Sequence, residues 1–492
     1  MVGMEESFLL FSTRFPLRRG CVAVYNPAHE SQPSVALEFT VGVDRMRIAM
    51  TRPLFAWDCL DDSPSLHSIR QFLALLPDGK LLDSLRRHRG KGRNDYPVSA
   101  LWGVVLLTPL LRHASIEGCL GELRRNPSLR RLIGIEQESG VPNKWNVSRF
   151  QQSLGCEPHL TLLREVFDTL VQRLGQTVKD LGSHLAGDAT ALNARPDRAE
   201  RESAGAEALA QPTGGRKEYT DDEGKVTEVL EWFGYKLHLL VDNRHEVAVA
   251  YRVSSAHAGD NEELPDLVTQ AQANLPDDRI QTLSYDRAAD DGKVHEFLHD
   301  AGIAPIIHNR SLWTEELERV LEGHPQVVYD EAGTIYCYDT VSPTPVRRRM
   351  AYIGHEPSRG TIKYRCPAKH GGFSCPSLAK CNRGLKYGKT VRVRREIDLR
   401  RFPPIPRSTK KFQRLYRGRT AVERVNGRLK LFWGVDDGNV TGAARFHAMV
   451  GAVMVVHVGL ATLLASAPRH DGGLGGTRLT PVAKALAKSM GR

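Results

Sequence analysis

Four residues near the C-terminal end of the chain have the types and spacing to handle a phosphodiester. Tyr416, Arg419, Glu423 and Lys430 follow one another at offsets of 3, 7 and 14 from the first. At about 100° per residue they fall within a stripe roughly 60° wide on one helix face. A planar guanidinium can grip phosphate oxygens bidentately, and an ammonium acts as a point charge. One carboxylate among so many cations stays ionised and can bind a divalent metal. The same residues would also make a solvated basic helix whose single acid sits in ion pairs, and spacing alone leaves both readings open.

The element that must carry them is KFQRLYRGRTAVERVNGRLK, residues 411–430, which has no internal Pro and predicts one helix. A single acid needs partners, and the chain upstream supplies two at the ends of apolar runs. SHLAGDATALNA (183–194) contains a run that ends in Asp188, and RIQTLSYD (279–286) ends in Asp286. Between them, GYKLHLLVD (234–242) and VAVAYRVSSA (247–256) predict a hairpin turning at 243–246, and 262–275 predicts a helix. After Asp286 come a helical stretch, 293–301, and a strand-like run, IAPIIH (303–308). The stretch from 195 to about 228 reads as a polar loop. The order is strand, hairpin, helix, strand, helix, strand. Adjacent strands lie about 4.8 Å apart. Two strand carboxylates and one helix carboxylate can therefore ring two divalent ions about 3.5–4 Å apart.

The full pattern Y-x2-R-x3-E-x6-K resembles, at all four positions, the C-terminal signature of bacterial insertion-sequence transposases of the DDE type. The resemblance covers about residues 85 to 465. It implies an α/β fold: a ribonuclease-H-like mixed sheet flanked by helices, with a helical N-terminal DNA-binding domain and a β-rich insertion before the last catalytic acid. It implies that Asp188, Asp286 and Glu423 are the catalytic residues and the ligands of two Mg2+ (or Mn2+) ions. It also implies that Tyr416, Arg419 and Lys430 contact DNA phosphates near the cleaved bond. Lys236, in GYKLH, is a further DNA-facing candidate, although a strand-edge charge would look the same. The family usually has Asp, a variable residue, then Gly-Tyr-Asp. Here Asp286-Arg287-Ala288-Ala289-Asp290 keeps the acid spacing but has Ala-Ala for Gly-Tyr, and Asp290, expected in the following helix, is the rival ligand. The activity expected is Mg2+-dependent hydrolysis and strand transfer at the ends of an insertion sequence. Two other readings are a decayed transposase that only binds DNA and a metal-dependent nuclease of the same fold.

Charge agrees with a polyanion partner. The chain of 492 residues has a net charge of +11, but residues 347–430 alone hold 25 Lys+Arg against 4 Asp+Glu, so the remainder is net acidic. A concentrated basic face is the electrostatic footprint of nucleic-acid binding. The expected partners are double-stranded DNA (element terminal repeats and target) and a second copy of the chain, with no membrane and no nucleotide cofactor.

The expected organisation is an unassigned segment 1–62, a helical DNA-binding domain 63–158, and the first part of the catalytic domain 159–311. A β-rich basic insertion 312–405, C-terminal catalytic helices 406–467 and a flexible tail 468–492 follow. His159 to Leu181 carries a leucine and valine stripe that predicts a helix. The apolar run 448–467 is long enough to span a bilayer, but its Gly, Ala and His457 favour a buried core helix. No basic n-region or cleavage site marks the first residues, so reduced thiols and a cytoplasmic, nucleoid-associated location are expected. Cys366, Cys375 and Cys381, with Cys337 or His370, are a candidate structural zinc site. Their spacings include no C-x2-C pair and suit plain thiols as well. GLKYGKT (384–390) has the wrong glycine gap for a phosphate-binding loop and follows no apolar strand, which excludes an ATPase.

Overall fold

The computed structural model describes residues 64–91, 95–195, 209–220, 226–310, 312–314, 317–382, 384–437 and 440–466. The expected unassigned segment and C-terminal tail lie outside the described residues, as do 196–208 and 221–225 of the expected polar loop.

The first α-helices described are α1 (Pro64–Leu75), α2 (Gly79–Arg89), α3 (Val98–Leu110), α4 (Ile116–Arg125), α5 (Pro127–Leu132), α6 (Lys144–Leu154) and α7 (His159–Thr177). Local chemistry starts three of them. Ser115, Asn126 and Asn143 accept hydrogen bonds from the backbone N–H groups of Gly118, Leu129 and Asn146 at 3.2, 3.0 and 3.0 Å. Helix α7 stops short of Leu181 because Gly182, at φ +87°, turns the chain into the sheet.

The main sheet contains β1 (His184–Asn193), β2 (Thr213–Thr220), β3 (Val226–Asp242), β4 (Ala248–Ser255), β5 (Thr282–Ser284) and β6 (Ala304–Ile306). Across its width the order is β4, β3, β1, β5, β6. Strand β3 is antiparallel to both β4 and β1, and β1, β5 and β6 are parallel. Strand β3 is long: its second half lies between β1 and β4, and its first half pairs with β2. The expected polar loop is thus a strand over 213–220, and β3 begins at Val226 rather than Gly234. Helices α8 (Asp260–Asn274) and α9 (Gly292–Asp300) fill the crossovers.

The stretch between β6 and the C-terminal helices is β-rich, as the sequence predicts. It holds β7 (Glu318–Leu321), β8 (His324–Asp330), β9 (Ile335–Tyr338) and β10 (Arg347–Arg349) in one sheet. A second sheet is made of β11 (Ala351–Glu356), β12 (Thr361–Arg365) and β13 (Thr390–Arg394), with the short helices α10 (Pro367–Gly371) and α11 (Leu378–Asn382) between β12 and β13. A small core joins the two sheets through Val327, Ile335, Ile362, Tyr364, Val391 and Phe402. Along β13 Val391 and Val393 point in while Arg392 and Arg394 point out, the two-residue period of a half-buried strand.

The chain ends its described part in α12 (Lys410–Arg417), α13 (Thr420–Trp433) and α14 (Ala443–Ala465). Helix α14 is the one long and apolar enough to cross a membrane among the described residues, and it is buried in the protein, packed on α7, α6, α3, α1 and β4. Its His457 accepts a hydrogen bond from the Ala248 N–H at 3.0 Å, and burial pushes the imidazole down to about 3, so it stays neutral. Through α14 the N-terminal helices share one continuous hydrophobic core with the sheet.

Candidate active site

Strands β1 and β5 set the two aspartates. Their register pairs His184 with Thr282, Leu185 with Leu283 and Ala186 with Ser284. That register ends at Ala186 and Ser284; Asp188 follows two residues on within β1 and Asp286 two residues on just past β5, near enough for Asp286 to act on Asp188. Asp188 lies inside β1, which runs on to Asn193 and stays paired with β3, so the expectation that this acid ends its strand is corrected. Asp286 lies just beyond β5, where its carboxylate accepts the Ala288 N–H at 2.9 Å and caps the turn 287–289.

Burial pushes the Asp188 carboxyl up to about 6, Asp286 adds to the rise, and Lys217, the Ala189 N–H and Arg419 oppose it. Lys217 sits on β2 and was hidden from the sequence reading by its Gly- and charge-rich surroundings, which look like loop. Tyr285, between the aspartates' strands, packs its ring over Gly187, where a Cβ would meet Tyr285 Cε2 at 2.3 Å. Its hydroxyl is buried without a hydrogen-bond partner, and burial with the nearby Asp260, Asp188 and Asp286 holds the phenol well above its ordinary value.

The signature residues lie on two helices rather than the one expected. Arg419 and Val422 donate to carbonyls three residues back, Tyr416 and Arg419, which tightens the chain between α12 and α13. Gly418 permits this, since a Cβ there would meet the Asn243 side chain at 2.6 Å. Asn243 belongs to the β3–β4 turn, and Glu246 of the same turn accepts hydrogen bonds from Arg424 and Arg428 of α13. Helix α13 therefore packs on β1 and β3, while α12 packs on β6. Lys411 and Arg414 act on His184, Arg419 acts on Asp188, and Lys430 Nζ donates to the Ala191 carbonyl at 2.5 Å.

Arg419 Nη2 donates to Glu423 Oε1 at 2.7 Å; the arginine side chain is 22% exposed and the glutamate 50%. Glu423 is thus bound to Arg419 and open to solvent. Among the described residues no three His, Cys, Asp or Glu side chains are gathered closely enough to hold one ion. Tyr416 packs against His308 and Phe412. Lys430 also pairs with Asp436 at 3.2 Å. Lys410, Lys411, Arg414 and Arg417 form the exposed basic side of α12.

Two other candidates take structural places. Asp290 precedes α9 instead of lying in it, and its side chain is 0% exposed. It accepts from His295, the Arg310 N–H, Arg400 and Arg407 at 3.0, 2.7, 2.6 and 3.3 Å. Burial by itself would raise this carboxyl, but the bonds from His295, Arg400 and Arg310 hold it well below the usual range. Lys236 lies on the sheet face opposite Asp188, because it registers with Ala191 and not with Thr190. There its ammonium donates to Asp260 at 3.0 Å and to the Ala258 carbonyl at 2.8 Å. The basic segment is also less free than its charge count predicts, since Arg395, Arg407 and Arg428 are buried.

A family model described as Transposase DDE domain matches residues 180–458, the span that carries both aspartates and the signature helices. The chain belongs to the DDE transposase family. A second transposase family model, Transposase domain (DUF772), matches residues 58–153, the helical segment ahead of α7. No curated protein matches the chain. The matched span holds Asp188 on β1, Asp286 after β5 and Glu423 on α13, in the chain order the resemblance implies.

Proposed function

We propose that the protein is the transposase of a bacterial insertion sequence, and that its ribonuclease-H-like sheet cuts and rejoins DNA with Asp188, Asp286 and Glu423. The approach of Asp286 to Asp188 from the end of the strand next to β1, with α13 and its Glu423 packed on β1, supports this reading most. Carboxylate oxygens are the hard ligands that Mg2+ takes. The half-buried Asp188, raised by burial and crowded by Asp286, is a place that a cation would relieve. Asp188, Asp286 and Glu423 would hold two Mg2+ (or Mn2+) ions, and the chemistry supplied there is activation of water and then of a freed 3′-hydroxyl.

The protein's own groups do the rest. The Arg419 fork binds either Glu423 or a phosphate, so an arriving DNA strand competes for it and frees the carboxylate. Tyr416, held by His308 and Phe412, and Lys430 flank that phosphate. The exposed cations of α12 and of the insertion neutralise the flanking backbone. Transesterification roughly conserves bond energy, so no nucleotide cofactor is required. Joining two element ends to a target calls for a homodimer on double-stranded DNA, working at the nucleoid in the cytoplasm.

The test is an assay on a labelled DNA end from the region flanking the gene, with and without Mg2+. Nicking followed by joining is expected. Nicking without joining would make the protein a nuclease of this fold, and binding without chemistry would make it a decayed copy. Glu423→Gln should lose cleavage and keep DNA binding; unchanged cleavage would overturn the assignment.

A further inference from the structure

Cys337, Cys366, Cys375 and Cys381 come from different parts of the insertion, yet all four line one small cavity of about 30 Å3. Cys337 is on β9, Cys366 follows β12, Cys375 lies between α10 and α11, and Cys381 is on α11. That volume is on the scale of one water or one ion. All four are free thiols, and the two other described cysteines, Cys119 and Cys156, are elsewhere in the helical segment. His370, the sequence-level alternative to Cys337, does not line the cavity. Gln326 donates to Cys381 Sγ at 3.3 Å, so that sulfur already acts as an acceptor. Lys389 also borders the cavity, and its carbonyl accepts the Cys366 N–H at 2.8 Å, tying the α10–α11 excursion back to the start of β13.

We propose that these four cysteines form a structural Zn2+ site, a tetrathiolate that pins the α10–α11 excursion to the β7–β10 sheet. Soft thiolates in a set of four are the ligands of a closed structural zinc centre, with Zn–S near 2.3 Å. As they stand the sulfurs are spread more widely than a bound ion requires. Binding therefore draws them inward around the cavity, each ligating thiol giving its proton to water. A divalent cation offsets the mutual repulsion of four thiolates held together. The insertion needs such a staple because its core is a thin layer shared by two small sheets.

The experiment measures zinc in the full chain purified under reducing conditions, then replaces the metal with Co2+. About one zinc per chain and an intense thiolate-to-cobalt charge-transfer band are expected. Cys366→Ser/Cys381→Ser should lose both, while Cys119→Ser/Cys156→Ser and Asp188→Asn should keep both. As a readout that does not depend on a folded variant, removing the metal from the unmutated chain should speed proteolysis between residues 366 and 389. Metal-free protein with no cobalt band, full zinc in the Cys366/Cys381 variant, or the four cysteines recovered as disulfides would each overturn the proposal.

Discussion

Asp286 and Asp290 are four residues apart, and the proposed mechanism gives Asp286 a metal to hold while Asp290 holds the fold. Replacing each by Ala separates the two. Asp290→Ala removes a wholly buried carboxylate and leaves the Arg407 guanidinium, 3% exposed, and the Arg400 guanidinium without their anion. Breaking a buried pair by deleting one partner costs about 3–5 kcal/mol. With two cations stranded, and His295 and the Arg310 N–H also losing their acceptor, about 4–5 kcal/mol is expected. At about 2 °C per kcal/mol for a large cooperative unit, Tm falls by about 8–10 °C. Asp286→Ala deletes a half-exposed acid whose hydrogen bond is the turn cap to Ala288. That loss is worth about 1 kcal/mol, and relief of the repulsion on Asp188 offsets part of it. Melting followed by fluorescence, with cleavage assayed well below both midpoints, gives the comparison. Asp286→Ala should melt nearly normally and be dead; Asp290→Ala should melt early and, in the cold, keep metal binding at Asp188 and Asp286 while losing cleavage only in part. Equal losses of Tm, or a cleaving Asp286→Ala, would show that the metal-ligand role has been given to the wrong aspartate.

Other outcomes follow from the same geometry. Asp188 holds its proton more tightly folded than unfolded, so its ionised form opposes folding above about pH 6, and this penalty fades as pH falls toward the ordinary carboxyl range. Protons and cations compete for that carboxylate, so Ca2+ affinity measured by calorimetry should drop as pH is lowered through about 6; an affinity flat across that range would refute the burial argument. Asp290 has the reverse sign. Its depressed folded value gives stability that is whole above about pH 4 and is lost on further acidification, and Asp290→Ala should lack that acid-dependent component in pH-resolved melts. Gly187→Ala would press a methyl into the Tyr285 ring and the Leu240 side chain, at 2.3 and 2.9 Å, and should cost about 1–3 kcal/mol by denaturant titration; an unchanged midpoint would refute the close packing. DNA affinity should fall steeply with salt, and replacing Lys410, Lys411, Arg414 and Arg417 by Ala should reduce the log–log slope by about 3–4; a flat response would count against the basic face.

How much of this was legible in the sequence depended on whether a signal was local. The β3–β4 hairpin, the strands of the insertion and the buried α14 announce themselves by period and length, because each is decided by which residues meet water. The placing of Asp188, Asp286 and Glu423 on successive elements was legible through the signature and the apolar runs. What the sequence hid was decided by distant partners. Strand β2 reads as loop because its face is solvated, and only pairing with β3 makes it a strand. That concealed Lys217, the first cation acting on Asp188. The break at Gly418 is dictated by Asn243, far away in sequence. The inward turn of Lys236 is set by pleat parity and Asp260, neither of which its own neighbours in GYKLH reveal.

The same dependence on distant partners explains how a long insertion can sit between Asp286 and Glu423 without displacing the helices that follow it. The chain leaves the sheet after β6, and at Arg310 its backbone N–H binds Asp290. It returns at Arg400 and Arg407, whose guanidiniums bind the same carboxylate, and Arg407 Nε also donates to the Ile307 carbonyl at 2.8 Å. Outgoing and returning strands of the excursion are thus closed on one anion only four residues from Asp286. Closing a loop costs little more as it lengthens, so a clip of this kind admits a whole small domain at nearly fixed expense. What the clip must guarantee is phase. From Arg407 the chain has only a few residues before α12 begins, and α12 must seat on β6 and α13 on β1 so that Arg419 reaches Asp188. A loosened clip would let the helix pair shift against the sheet while leaving Asp188, Asp286 and Glu423 all present. Asp290→Asn should therefore lose cleavage in proportion to its loss of Arg400 and Arg407, with metal binding at Asp188 and Asp286 retained. A variant that cleaves normally with the clip broken would show that the β3–β4 turn, through Glu246 and Asn243, fixes the phase by itself.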